Sequence, residues 1–395
     1  MTMKIAVFTG TRAEYGLFRP LLVEMSRDRS VRAALIVSGT HLSSRYGDTH
    51  REIRADGFSI HETVRIPTST RTEEDIARAL SAGLVGCVRA LKRLDPDFLV
   101  LLGDRFETFA CAVAGYLLKI PIAHLHGGEL TEGVADEAWR HSITKMSHLH
   151  FTSNAEYRRR VIQLGESPDR VFNVGALGID NIRSVSRIPR TRLERDIGFS
   201  FGPRSVLVTF HPETLRRVPA GDQIDPLLKS LESFPDLRVL FTASNADVGG
   251  RAIMSRIDGF VRAHPGRSVC VPSLGAARYL SAVSYVDAVV GNSSSGIIEA
   301  PSLGTPTVNV GDRQKGRLMA PSVINCRGDE PSIRAAIRQA LSVSFQKRCS
   351  RVRNPYGDGR TARRIVAVLK RFSGRIKTVQ KPFYDVPMFK RTERG

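Results

Sequence analysis

Short apolar runs alternate with longer amphipathic stretches along nearly the whole chain. The runs fall at Ile5–Phe8, Ala34–Val37, Phe98–Leu102, Pro121–His124, His150–Thr152 and Val171–Val174. After a break they resume at Ser205–Phe210, Arg238–Thr242, Ala288–Val290 and Thr307–Val310. Their shortness and nearly continuous apolar character suit strands buried on both faces. Between them, Glu14–Ser26, Glu73–Leu94 and Thr108–Leu118 place apolar residues at helical spacing. This rhythm predicts βαβ units with parallel sheets and right-handed crossovers, an α/β fold. The break, residues 178–204, is rich in Arg, Ser and Ile and predicts a linker. At 395 residues the chain exceeds what one core usually supports. Two domains are therefore expected, over 1–177 and 205–375, with 376–395 a tail. Facing each other across a cleft, they would gather both sets of strand ends around one ligand.

The polar residues that matter fall where those strands stop. Phe98–Leu102 runs into Gly103 and then releases Asp104, Arg105 and Glu107 together. The crevice beyond the carboxyl ends of such strands is where open α/β sheets bind ligands. The first strand ends in Thr9-Gly-Thr-Arg-Ala-Glu-Tyr-Gly16, a turn able to present backbone amides and Arg12 to an anion. The fourth run leads into His124-Leu-His-Gly-Gly-Glu129, where Gly127 and Gly128 allow a sharp turn that aims Glu129 inward. Asp136 then opens a helix whose acidic first turn suits the macrodipole. In the second half, His211 and Glu213 follow a strand, and Gly291-Asn-Ser-Ser-Ser-Gly296 supplies hydroxyls and free amides for a diphosphate. Glu299 lies a turn later, placed for a ribose's paired hydroxyls, and Arg313, Lys315 and Arg317 add cations. No GxGxxG, Walker A or HExxH pattern occurs, which disfavours a dinucleotide, ATP hydrolysis and a zinc site.

Charge alters this picture mainly at one end. The net charge is +20, and residues 347–395 carry 15 Lys and Arg against three acidic residues. A basic tail of this kind can bind nucleic acid or an anionic membrane surface, or it can be a solvated arm. Five scattered cysteines without a CxxC pair argue for a reducing cytoplasm. The N-terminus reads as a first strand rather than an export signal, and no stretch reaches membrane-spanning length.

Taken in order, the strand-end motifs resemble the hydrolysing UDP-N-acetylglucosamine 2-epimerase family, in its sialic or legionaminic acid branch. They are Thr9-Gly-Thr-Arg-Ala-Glu-Tyr15, Ser38-Gly-Thr-His-Leu-Ser43, Gly103-Asp-Arg-Phe-Glu107, His126-Gly-Gly-Glu129, Asp136-Glu137 with Arg140-His-Ser-Ile-Thr-Lys145, Gly291–Gly296 and Gly311–Arg317. The resemblance covers about residues 4–370. It implies two Rossmann-like domains in a glycosyltransferase-B-like arrangement, with a C-terminal helix returning to the N-terminal domain. It also implies anti elimination of UDP to a glycal and then hydration to a free N-acetylmannosamine-type sugar, with no cofactor and no metal.

On that resemblance Asp104, Glu129 and Asp136 are the acid–base residues, Glu107 supports them, and the choice of base and acid stays open. Arg12, His211, Ser293, Ser294, Ser295, Gly296 and Arg317 are expected to hold the diphosphate, and Glu299 the ribose. His41, His126 and Arg140 are expected at the nucleotide or sugar. The expected partners are a UDP-sugar and further copies of the chain in a homodimer or homotetramer, without nucleic acid or stable membrane insertion. A glycosyltransferase of the same fold is the alternative; a basic RNA- or membrane-surface-binding protein is another. Deleting 376–395 is expected to leave an enzyme's turnover intact and to cost a tail-driven binder its partner.

Overall fold

The computed structural model describes residues 2–44, 47–68, 72–131, 136–213, 218–243, 249–376 and 380–387. Its first sheet comprises β1 (Met3–Thr9), β2 (Val31–Ser38), β3 (Ile60–Val64), β4 (Phe98–Leu102), β5 (Ile122–Leu125), β6 (Leu149–Thr152) and β7 (Val171–Asn173). The second comprises β8 (Ser205–Thr209), β9 (Arg238–Thr242), β10 (Ser268–Val271), β11 (Ala288–Gly291), β12 (Thr307–Val310) and β13 (Val323–Cys326). All pairings are parallel, in the orders β3-β2-β1-β4-β5-β6-β7 and β10-β9-β8-β11-β12-β13. The α/β reading and the two-sheet architecture hold.

β4, β5, β6 and β8 are buried at every position, as strands covered by helices on both faces must be. The partly exposed strands β3, β10 and β13 are sheet edges, and all three lie outside the predicted set. In each sheet the strand order reverses beside the first strand, between β1 and β4 and between β8 and β11. Ligands are expected in the crevice at such points. Segment 178–204, expected as a linker, holds most of the helix Leu177–Ser184 and all of Arg190–Ile197.

The C-terminal helix Thr361–Phe372 does return to the first sheet. Ala362, Ile365, Val366, Leu369 and Phe372 share a buried cluster with Phe18, Leu21, Leu22 and Met25 of the helix Arg12–Arg27. Its N-terminus has no side-chain cap of its own. Asp180 supplies one, accepting from the Thr361 and Ala362 amides at 3.0 and 2.7 Å. Among the described residues, no helix is long and apolar enough to cross a membrane. Residues 377–379 and 388–395 of the predicted basic tail lie outside the described residues.

Candidate functional site

The site is built at the two reversal points. At the end of β5 the chain turns through His126 and Gly128, both with positive φ, of +64° and +78°. At Gly128 a Cβ would lie 2.5 Å from the Tyr157 carbonyl oxygen, so only glycine lets the turn approach that helix. The turn delivers Glu129 into the interior, 4% exposed. One carboxylate oxygen accepts from His126 Nδ1 at 2.9 Å and Ser153 Oγ at 3.1 Å. The other stands 2.7 Å from Nη1 of Arg317, which comes from the segment after β12. Burial opposes the Glu129 charge, but Arg317, His126 and Arg140 outweigh it and hold the carboxyl well below its usual range.

Arg140, on the helix Asp136–Met146 and 1% exposed, ties the carboxylates together. It donates to the Glu129 carbonyl at 2.7 Å, Glu137 Oε2 at 3.1 Å and Thr131 Oγ1 at 2.5 Å, and it pairs with Asp104. The Asp104 side chain keeps 24% exposure. Beside it, buried Glu107 accepts from Arg105 Nε at 3.2 Å and Nη2 at 3.3 Å. Asp136, at the start of its helix, acts electrostatically on the same Arg105.

Across the cleft, Arg317 is placed by its neighbour. The Leu318 amide donates to the Tyr157 hydroxyl at 3.0 Å, and the Tyr356 hydroxyl donates to the Leu318 carbonyl at 2.9 Å. His211 follows β8 and is clamped through its backbone by Asn292, at 2.7 and 2.8 Å. Burial and then Arg313 push its imidazole down to about 3, so it is neutral near pH 7. Ser293 caps the short helix Ser294–Ile298, and Ser295 donates to Glu299. Burial pushes the Glu299 carboxyl up to about 7, against the Ser295 hydrogen bond. At Gly178 of the first half, a Cβ would lie 2.8 Å from Glu299 Oε1. Arg12 donates to Glu52 Oε2 at 3.0 Å and to Ser273 Oγ of the second half at 2.5 Å.

For two of the expected residues the structure adds further contacts. His41 is fully buried, with its ring nitrogens 3.1 Å from Thr9 Oγ1 and 2.8 Å from Thr49 Oγ1. Both ring nitrogens are thus within hydrogen-bond distance of threonine hydroxyls, and the side chain braces the β1 end. Glu129 is held anionic by the positive charge around it. Glu14, which the sequence reading did not single out, lies beside these groups. It is 7% exposed and accepts from the Gly10 and Thr11 amides at 2.7 and 3.1 Å. Burial pushes it up to about 7 while Arg105 pulls it back. Thr11 and Glu14 form a capping box at the start of the helix Arg12–Arg27.

The arrangement offers three things: a half-buried carboxylate fixed by a buried guanidinium, a cation bridging the halves, and a turn of hydroxyls and amides at the end of β11. Comparison with known proteins agrees in kind. The family model described as UDP-N-acetylglucosamine 2-epimerase matches residues 23–370. The chain is 39% identical over 389 residues to polysialic acid biosynthesis protein P7 of Escherichia coli, covering 97% of this chain and 98% of that one. It is 37% identical over 322 residues to the GDP/UDP-N,N'-diacetylbacillosamine 2-epimerase (hydrolyzing) of Campylobacter jejuni, covering 82% and 84%. Among solved structures, UDP-GlcNAc 2-epimerase from Neisseria meningitidis, crystallised with UDP-GlcNAc bound, matches with a TM-score of 0.80. That match has 17% identity, covers 93% of this chain and all of the other, and speaks to the fold alone.

Proposed function

Because the chain belongs to the UDP-N-acetylglucosamine 2-epimerase family, we propose that it is a hydrolysing 2-epimerase. It converts UDP-N-acetylglucosamine, or a related UDP-2-acetamido sugar, to UDP and the free 2-epimer. The observation that carries this reading is the network running from Asp104 through Arg140 and Glu129 to Arg317. It supports the reading by bringing carboxylates able to transfer protons close to a cation able to stabilise a departing diphosphate. A transferase needs one base at most, and this cluster exceeds that need. The Campylobacter relative, described as hydrolysing, favours release of the sugar over its return to UDP.

The proton at C2 of the sugar has no adjacent carbonyl to acidify it, so it leaves only as the C1–O bond to UDP breaks. Asp104, fixed by Arg140 and open to the cleft, takes that proton as the electron pair forms the C1–C2 double bond. The bond electrons of C1–O leave with the diphosphate. Arg317 and the Ser293–Gly296 turn stabilise that charge, and Arg12 and neutral His211 contribute hydrogen bonds. Glu129 stays anionic; it orients Arg317 and His126 and eases positive character at C1. Water then adds across the double bond, hydroxyl to C1 and a proton to the opposite face of C2. Asp136, at the mouth of its helix, serves that step. Glu107 holds Arg105 between the carboxylates, and Glu299 accepts from the ribose hydroxyls.

Proton NMR of the protein with UDP-N-acetylglucosamine in D2O tests the reading. UDP with a free N-acetylmannosamine carrying deuterium at C2 is the expected product pair. Epimerised sugar still attached to UDP would overturn the hydrolytic step. Should UDP-N-acetylglucosamine not react, the UDP-2,4-diacetamido-6-deoxy analogue is the next substrate, and failure of both would overturn the proposal.

A further inference from the structure

Another buried charge cluster lies outside the cleft, at the far end of the helix that carries Asp136 and Arg140. Glu166 is 2% exposed there and has three basic partners. Its carboxylate accepts from Lys145 Nζ at 2.6 Å, His150 Nε2 at 3.0 Å and Lys381 Nζ at 2.5 Å. Lys381 belongs to the segment expected to be a dispensable tail. It also donates to the Ser147 carbonyl at 2.6 Å, just past the end of the helix Asp136–Met146, and reaches that of Thr144 at 3.5 Å. A cation there complements the carbonyls at the helix end and the negative end of the helix dipole.

The following residues complete the seat. The Phe383 ring lies across Gly165, where a Cβ would collide with it, and Lys145 Nζ stands 5.0 Å from the ring centroid. The Tyr384 amide donates to the Gly165 carbonyl at 2.9 Å. The clamped helix connects to the cleft by a short path. Thr144 Oγ1 stands 3.1 Å from His124 Nδ1, and His124 Nε2 is 2.8 Å from the carbonyl of Gly103, next to Asp104.

We propose that residues 380–387 form a strap that fixes the helix Asp136–Met146, and that Lys381 is a positioning residue for the Arg140–Asp104 pair. The proposal rests on the reading that this helix carries acid–base groups. Trp139, the sole tryptophan, lies on the same helix with its ring 4.6 Å from that of Phe109, so its emission reports the helix independently of catalysis.

In the full chain, Lys381→Met is expected to lower kcat roughly 10- to 100-fold. UDP affinity should change by less than about two-fold, which separates kcat from binding. Trp139 emission should shift, and Lys381→Arg should restore both signals. Wild-type turnover and emission in Lys381→Met would overturn the proposal. Shifted emission with unchanged turnover would overturn the positioning role and place the fault in the catalytic assignment of the helix. Equal losses of turnover and UDP affinity would also overturn it, as a general structural defect. If Lys381→Met does not fold, Phe383→Ala, which loosens the strap without stranding Glu166, carries the same expectations at smaller size.

Discussion

Replacing Arg317 by methionine tests whether Glu129 owes its charge to the opposite half of the molecule. The two charges stand 2.7 Å apart, with side-chain exposures of 10% and 5%. At an effective dielectric constant of about 20 their attraction is about 6 kcal/mol, a gross figure that desolvation of both ions largely offsets. Removing one partner of such a buried pair costs about 3–5 kcal/mol. His126 and Ser153 still bond the carboxylate, which favours the low end of that range.

The pH dependence gives the experiment its sign. In the wild type the folded Glu129 carboxyl lies below its ordinary value of 4.5. Its contribution is therefore present above pH 4.5 and lost only as pH falls through the lower folded value. Across pH 5–8 it is constant. Without Arg317, burial is opposed only by His126 and Arg140, and the folded value is expected to rise above 4.5. The penalty then grows as pH rises from 4.5 through that raised value, so the variant is weakest near neutrality. Urea midpoints at pH 8 and pH 5 are the assay, read as wild type minus variant. A loss of about 3 kcal/mol at pH 8 that narrows at pH 5 is expected. In the Glu129→Gln background the Arg317→Met loss should shrink, since no anion is stranded. A loss below about 0.5 kcal/mol, equal losses at both pH values, or strict additivity would refute the argument.

Three further outcomes follow from the same geometry. Asp104→Asn keeps the shape but removes the proton acceptor, so kcat should fall by about 10²–10⁴ with UDP affinity nearly unchanged; wild-type turnover would remove Asp104 from the mechanism. His41→Gln should cost about 1–3 kcal/mol at pH 7 without altering UDP affinity, checked by denaturation and calorimetry. Because burial pushes the folded His41 down to about 4 from 6.5, its contribution is present above 6.5 and fades as pH falls toward 4. The gap between wild type and variant should narrow over that window. Finally, Glu299 is held near 7, so UDP affinity should rise more steeply through neutrality in the wild type than in Glu299→Gln; parallel profiles would deny it the ribose.

What could be read from residue order, and what could not, divides along one physical line: whether the partner is local. β4 and β8 were legible because burial on both faces demands an unbroken apolar run, as at Phe98–Leu102. β3, Ile60–Val64, alternates Ile, His, Glu, Thr and Val because an edge strand shows one face to water, and its pattern is too mixed to stand out. Asp104 and His211 were legible because strand ends at the reversal points are where such sheets bind ligands, and topology follows from the strand–helix rhythm. The state of each carboxylate was not. Glu129 is buried and Glu299 partly buried, each a few residues after a glycine, yet one is driven below and the other above the ordinary range. The difference is Arg317, 188 positions away from Glu129, against a lone serine hydroxyl beside Glu299. Lys381 makes the same point for the tail. As one of 15 basic residues after position 346, it looks like any solvated lysine. Only Glu166, Ser147 and the Phe383–Gly165 contact mark it as seated. A charge count therefore predicts a field around the C-terminus, whereas the structure turns one of those charges into an anchor for the helix that carries Arg140.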